Sequence, residues 1–279
     1  MKLLLLALTI VVISGCAGGP RIDSRYTSIS QNSRVQFLIL HYTVADFPVS
    51  LKILTEGPAS SHYLVDDATA TIYRLVDENR RAYHAGESYW KGSTLLNASS
   101  IGIEIVNPGY KDTPEGRVWF DYPKAQISAV IELVKQIVNR HEIRPDRILA
   151  HSDIAPQRKE DPGPRFPWKL LADAGLIAWP DAGRVALRQI EFERQLPDVP
   201  WFQKKLAEHG YAVPQNAVLD DETRNVLTVF QMKYRPARFD GIPDAETAAL
   251  LDVLTSMPMP AFRKIVSLPG TGSQRNPRA

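Results

Sequence analysis

Cysteine is almost absent: Cys16 is the only one in 279 residues. A lone thiol closes no disulfide within the chain and builds no Cys-rich zinc finger. No Gly-x-Ser-x-Gly elbow occurs, and no His-Glu-x-x-His pattern. The residues therefore support neither an acyl-enzyme hydrolase nor a helical zinc protease. Charge of one sign is lacking too, with 33 Lys and Arg against 31 Asp and Glu, a net +2. That balance supplies no global attraction to nucleic acid, and none is expected as a partner. The apolar run 3–13 reaches only about 17 Å as a helix, against about 30 Å for a bilayer core. It is too short to span and reads as the apolar core of a signal peptide.

Lys2 precedes that run, and Ile13-Ser14-Gly15-Cys16 closes it. The closing residues resemble the bacterial lipobox. The resemblance implies a signal peptide over 1–15, cleavage before Cys16, and acylation of its thiol and new amine. A plain signal peptide with an incidental cysteine is the alternative. Ala17, not Asp, follows the cysteine, which by the same resemblance favours an outer-membrane lipid anchor facing the periplasm. Three acyl chains would hold far more firmly than one. Residues 16–33 then form a polar, lipidated tether.

The rest has the composition of a folded protein, 44% hydrophobic and 23% charged, and the length suggests about two domains. Strands are expected at 35–40, 63–65, 71–76, 101–106 and 147–150, and helices at 51–55 and 124–140. Alternation along 101–106 puts Ile101, Ile103 and Ile105 on one face and Gly102, Glu104 and Val106 on the other. In 124–140, Ile127, Val130, Ile131, Val134, Ile137 and Val138 recur at helical spacing. Strands mixed with amphipathic helices predict an α/β fold with a mixed central sheet and flanking helices. Residues 155–168 hold four prolines and read as irregular loop. After residue 180 the pattern turns helical. A charged linker at 181–198 leads to a small all-α domain at 199–255. A disordered tail is expected at 256–279.

Two apolar strands run into a histidine, His41 and His151, and Asp161 follows ten residues after the second. Two imidazoles and a carboxylate can hold zinc with the fourth position open. A histidine at a strand end can equally be a hydrogen-bonded structural residue, so the spacing alone leaves both readings standing.

The segments LILHYT (38–43), SSHYLV (60–65), AYHAG (82–86), SIGIEIVN (100–107) and ILAHSDIAPQRKEDPGPRFPW (148–168) resemble, in that order, the type 2 family of zinc-dependent N-acetylmuramoyl-L-alanine amidases. That family includes relatives of phage T7 lysozyme and peptidoglycan recognition proteins. The resemblance covers residues 34–180. With the lipobox and the C-terminal segment, it is strongest to the outer-membrane lipoprotein amidases of Gram-negative bacteria. It implies hydrolysis of the amide between N-acetylmuramic acid, in its anhydro form also, and L-alanine of the stem peptide, for cell-wall turnover. Matched residue by residue, His41, His151 and Asp161 fall on zinc ligands, Glu104 on the general base, and Lys159 on the oxyanion partner. The tyrosine that assists in phage lysozyme falls at Ser61. His84 falls where the family lines the substrate groove, and His62 is carried with it as a substrate-binding residue, although His62, ahead of a strand, reads first as a residue that packs and orients the site. The implied chemistry is coherent: zinc lowers the pKa of water towards about 7, a carboxylate takes its proton, and an ammonium offsets charge on the tetrahedral oxygen.

Phe202-Gln203, Asp240-Gly241 and Asp244-x-x-Thr247 resemble the small helical peptidoglycan-binding domain. A helical domain that merely supports the amidase is the alternative there. Asp153 reads as a loop-ordering residue, Trp90 and Trp168 as core, and His141 and His209 as solvated helix ends. Peptidoglycan or its muropeptides and a membrane are the expected partners of a monomer. A non-catalytic wall-binding lipoprotein is the other functional reading. The filled ligand positions, with Glu104 and Lys159, favour the enzyme.

Overall fold

Residues 37–42 read Phe-Leu-Ile-Leu-His-Tyr, a run that suits a strand covered on both faces. They form β1, Phe37–Tyr42, with every residue buried. The strand starts two residues later than the apolar pattern suggests, so His41 lies inside it. α1 (Phe47–Glu56) follows, its first turn closed by Asp46, whose carboxylate accepts from the Val49 N–H. Then come β2 (Tyr63–Val65), β3 (Ile72–Arg74), the short hairpin β4 (Tyr89–Trp90) and β5 (Ser93–Thr94), and β6 (Ser100–Ile105). A second hairpin, β7 (Tyr110–Thr113) and β8 (Gly116–Trp119), leads to α2 (Lys124–His141), β9 (Ile148–Ala150) and the one-turn helix α3 (His151–Ile154). The C-terminal part is helical: α4 (Trp168–Asp173), α5 (Ala182–Arg194), α6 (Val199–His209), α7 (Asp221–Tyr234) and α8 (Ala245–Ser256).

The computed structural model describes residues 19–20, 22–258 and 261–265. The expected signal peptide and Cys16 lie outside the described residues, as do 259–260 and 266–279 of the expected tail. Residues 261–265 are not the disordered segment expected: Phe262 and Ile265 pack against the core under α2, and Asn139 of α2 bonds the Ile265 N–H and carbonyl. The chain divides into two units, 1–32 and 33–279. The described part of the first holds no helix or strand. Among the described residues no helix is long and apolar enough to cross a membrane.

In the second unit the central sheet has the order β3-β2-β6-β1-β9. Its inner pairings are parallel, and β3 alone runs antiparallel at the edge. This is the mixed α/β sheet expected. Alternation assigns the two faces. Leu38, Leu40, Ile101, Ile103, Ile105, Ile148 and Ala150 pack under α2, which buries Ile127, Val130, Leu133, Val134, Ile137 and Val138. At about 2 kcal/mol for each large apolar side chain, that stripe contributes roughly 10 kcal/mol gross, before chain entropy is counted. On the opposite face Phe37, Ile39 and Leu149 share a core with Phe202, Leu206, Val226, Phe230 and Leu251 of the C-terminal helices.

The recurring motifs of those helices have a local cause. Asp181, Asp198, Asp220 and Asp244 each accept a backbone N–H three residues on, starting α5 to α8 and satisfying a donor left free at each N-terminus. The two Phe-Gln pairs bury their glutamines. Gln203 donates to Thr223 Oγ1 and Gln231 to Thr247 Oγ1, at 3.0 and 3.1 Å. Each Asp-x-x-Thr thus caps a helix and latches the preceding one.

Two histidines expected in solvent are not there. His141 lies between Ser33 Oγ and the Glu78 carboxylate, at 2.7 and 2.8 Å. His209 stands among Trp90, Tyr211, Phe230 and Tyr234, with ring centroids within 5.8 Å. A helix end reads as exposed in sequence, but here the neighbouring layer covers it. Burial, and then the nearby Lys233 charge, lower the His209 pKa to about 3. The folded state keeps this ring neutral while the unfolded chain protonates it below about pH 6.5. Its contribution is therefore present above pH 6.5 and lost as pH falls from 6.5 towards 3. Thermal melts of wild type and His209→Phe at pH 7 and 5 should differ: wild type loses about 1–2 kcal/mol more than the variant. Equal losses would contradict this assignment.

Candidate metal centre and active site

Parallel pairing of β1 with β6 sets His41 directly beside Glu104, on one face near the strands' carboxyl ends. Ligand sites of open α/β sheets lie at that end. On the other side of β1, β9 runs parallel through Ala150, and the next residue, His151, opens α3. The proline-rich loop then returns Asp161, whose carbonyl accepts the Ser152 N–H at 3.0 Å. Strand ends and one short helix thus bring His41, His151 and Asp161 together.

The geometry is close. Nδ1 of His41 and Nδ1 of His151 are 2.9 Å apart, and Asp161 Oδ2 is 3.1 Å from each. All three residues are buried. Hydrogen bonding behind them fixes where the imidazole protons sit. The Ser100 hydroxyl donates to the Leu96 carbonyl at 2.7 Å. It therefore accepts from His84 Nε2–H at 3.1 Å, and His84 Nδ1 accepts from His41 Nε2–H at 3.0 Å. His151 Nε2–H donates to the Ala85 carbonyl at 3.2 Å. Both Nδ1 atoms are left with bare lone pairs facing a carboxylate oxygen. Tetrahedral zinc with bonds of about 2.0–2.1 Å spaces its ligands roughly 3.3 Å apart. The donor set and its spacing fit a metal ion.

Electrostatics point the same way. Burial, reinforced by His151, lowers the His41 pKa to about 4 against the pull of Asp161. A neutral His41 is the state a metal ligand requires. Glu104 differs: burial and the Asp161 charge push its pKa well above the ordinary value, with Lys159 opposing. Its Oε2 is buried and has no hydrogen-bond partner among the described residues. Lys159 is exposed on the wall of the same cleft, a cavity of about 360 Å³ that also reaches His41, His151 and Asp161.

His62 does not line that cleft. It is fully buried, its Nδ1 accepting from Gly102 N–H at 3.0 Å and its Nε2 donating to the Arg80 carbonyl at 3.1 Å. Both nitrogens are spent on backbone. His84 reaches the cleft, but both of its nitrogens belong to the relay behind His41. Gly102 makes room for it, since a Cβ there would stand 2.5 Å from the His84 ring. Ser61 is fully buried. Asp153 orders α3, as its loop position suggested, and Trp90 and Trp168 are core residues. Tyr42, Tyr110, Arg158 and Glu160 also line the cleft. Arg158 and Glu160 flank Lys159 in sequence, which was the available signal. The Arg158 guanidinium grips the carbonyls of Ala85 and Glu87. Tyr110 sits on an exposed hairpin with no periodic pattern to reveal it.

Residues 31–164 match the N-acetylmuramoyl-L-alanine amidase family. Residues 195–251 match a family described as a candidate peptidoglycan-binding domain. The chain belongs to the N-acetylmuramoyl-L-alanine amidase family, and it hydrolyses the amide between N-acetylmuramic acid and L-alanine in peptidoglycan. Among its relatives, N-acetylmuramoyl-L-alanine amidase AmiD of Escherichia coli (strain K12) is 40% identical over 259 residues, 88% of this chain and 94% of that protein. The solved structure of AmiD with anhydro-N-acetylmuramic acid-L-Ala-D-γ-Glu-L-Lys superposes with a TM-score of 0.76 at 41% identity, covering 85% of this chain and 94% of AmiD. AmpDH3 of Pseudomonas aeruginosa gives 0.78 at 41% identity, covering 85% and 98%. Another AmpDH3 structure holds an anhydromuramic pentapeptide.

Proposed function

We propose that His41, His151 and Asp161 hold one zinc ion, and that Glu104 and Lys159 serve the reaction beside it. The observation that carries this reading is the convergence, within 3.1 Å of one another, of His41 Nδ1, His151 Nδ1 and Asp161 Oδ2, with the far nitrogen of each ring engaged by His84 or the Ala85 carbonyl. Zinc bound there supplies a Lewis acid that brings the pKa of water towards about 7 and polarises a carbonyl. His84 and the Ala85 carbonyl keep the two imidazoles turned inward. Glu104 presents a free, buried Oε2. It takes the proton of the attacking water and returns it to the leaving alanine nitrogen. The Lys159 ammonium offsets the charge that develops on the lactyl carbonyl oxygen. Anhydro-muropeptides are substrates alongside the intact wall, as the ligands of AmiD and AmpDH3 suggest.

The remaining parts serve placement. Residues 34–180 carry the chemistry. Residues 181–198 are not a bare connection, since α5 packs Phe192 into the C-terminal core and pairs Arg188 with Asp252 of α8; with 199–255 they hold the enzyme on the polymer. Cys16 is acylated after removal of 1–15, and the monomer sits on the outer membrane facing the periplasm on its 16–33 tether.

Glu104→Gln should keep zinc and fold but lose about 10²–10⁴-fold in release of peptide from purified muropeptide. Lys159→Ala should lose about 10²–10³-fold, mostly in kcat. A zinc-loaded, folded Glu104→Gln that turns over at the wild-type rate contradicts the base assignment. For the anchor, a palmitate analogue fed to cells should label the wild type and not Cys16→Ser. Label retained by that variant would place the lipid elsewhere.

A further inference from the structure

α3 is a single turn, and it carries His151 at its first position. Its Ser152 N–H is bonded to the Asp161 carbonyl. A shift of α3 therefore moves two of the three donor residues together. What fixes α3 is Asp153. Its Oδ2 accepts from Ala150 N–H at 2.8 Å and from the Lys233 ammonium at 2.6 Å, and its Oδ1 accepts from the Tyr211 hydroxyl at 2.6 Å. The side chains of Lys233 and Asp153 are only 5% and 1% exposed. The ammonium also stands 4.2 Å from the centroid of the Trp168 ring, within cation–π range.

Lys233 belongs to α7, and Tyr211 lies just beyond α6. The charge that balances Asp153 thus comes entirely from the C-terminal helices. An ion pair this buried gives little net stability over apolar packing, because desolvation offsets most of its attraction. Its directional bonds do something apolar packing cannot: they set where a one-turn helix sits. Supporting groups of this kind decide whether a ligand set meets its metal at the right distance.

We infer that Lys233 is a positioning residue for the metal centre, acting from the C-terminal helices through Asp153 and α3 on His151 and Asp161. Those helices then complete the catalytic half independently of any hold on the wall. The inference rests on the reading of His151 as a metal ligand.

The test measures zinc affinity of the full-length protein by competition with a chelating dye, and thermal midpoints of the same samples. Lys233→Met should bind zinc about 10–100-fold more weakly. Tyr211→Phe removes one hydroxyl and leaves the ion pair whole, so it should weaken binding by a smaller factor. Leu251→Ala, in the fully buried interior of α8, should lower the midpoint with zinc affinity unchanged. His151→Ala should lose zinc binding. If Lys233→Met fails to fold, Tyr211→Phe decides alone. Wild-type affinity in Lys233→Met and Tyr211→Phe, with binding lost in His151→Ala, overturns the inference and leaves the ligand assignment standing. The same loss in Leu251→Ala as in Lys233→Met also overturns it, since general softening would then suffice. Wild-type affinity in His151→Ala overturns the ligand assignment itself.

Discussion

Three lone pairs point at one another: Nδ1 of His41, Nδ1 of His151 and Oδ2 of Asp161, each about 3 Å from the others. No proton is left to bridge them, because hydrogen bonds on the far side of each ring hold it there. Left to themselves such donors repel, and burial deepens the cost. A cation satisfies all three at once. Much of the nearby structure is arranged to keep them in place. Ser100 is committed to the Leu96 carbonyl, which sets the direction of the relay through His84. Gly102 leaves space for the His84 ring. The register of β1 on β6 brings Glu104 level with His41.

Reading the chain alone recovers the parts of this arrangement that depend on local pattern. Alternation places Glu104 opposite Ile101, Ile103 and Ile105, and the structure agrees: the three isoleucines pack in the core under α2 while Glu104 lines the cleft. α2 is legible from its period, ending one residue beyond expectation at His141. The hairpins β4–β5 and β7–β8 escape notice because two- and four-residue strands without buried alternation leave no signal. The histidines are harder. His62 and His84 sit in the family's motif segments, yet what each nitrogen meets depends on contacts 16 to 43 residues away. The partner of Asp153 is 80 residues distant in sequence, in a segment that reads as a different domain.

The C-terminal helices connect to the sheet in two physically different ways. Apolar contact is extensive and non-directional, with Phe37, Ile39 and Leu149 sharing a core with Phe202, Leu206 and Phe230. Polar contact is directional, through Lys233 and Tyr211 on Asp153, Lys91 N–H on the Gly210 carbonyl, and Gln157 with Glu222 and Asn225 of α7. The first supplies most of the stability, since burial scales with area. The second fixes register between the parts. The glutamine latches serve the same end within the helices, each pairing a buried amide with a capping-motif threonine.

X-ray absorption at the zinc edge tests the central claim most directly. The zinc-loaded protein should show a shell of nitrogen and oxygen at about 2.0–2.1 Å with the outer-shell signature of two imidazoles, and no sulfur. A sulfur scatterer near 2.3 Å, or three imidazoles, would contradict the ligand set of His41, His151 and Asp161.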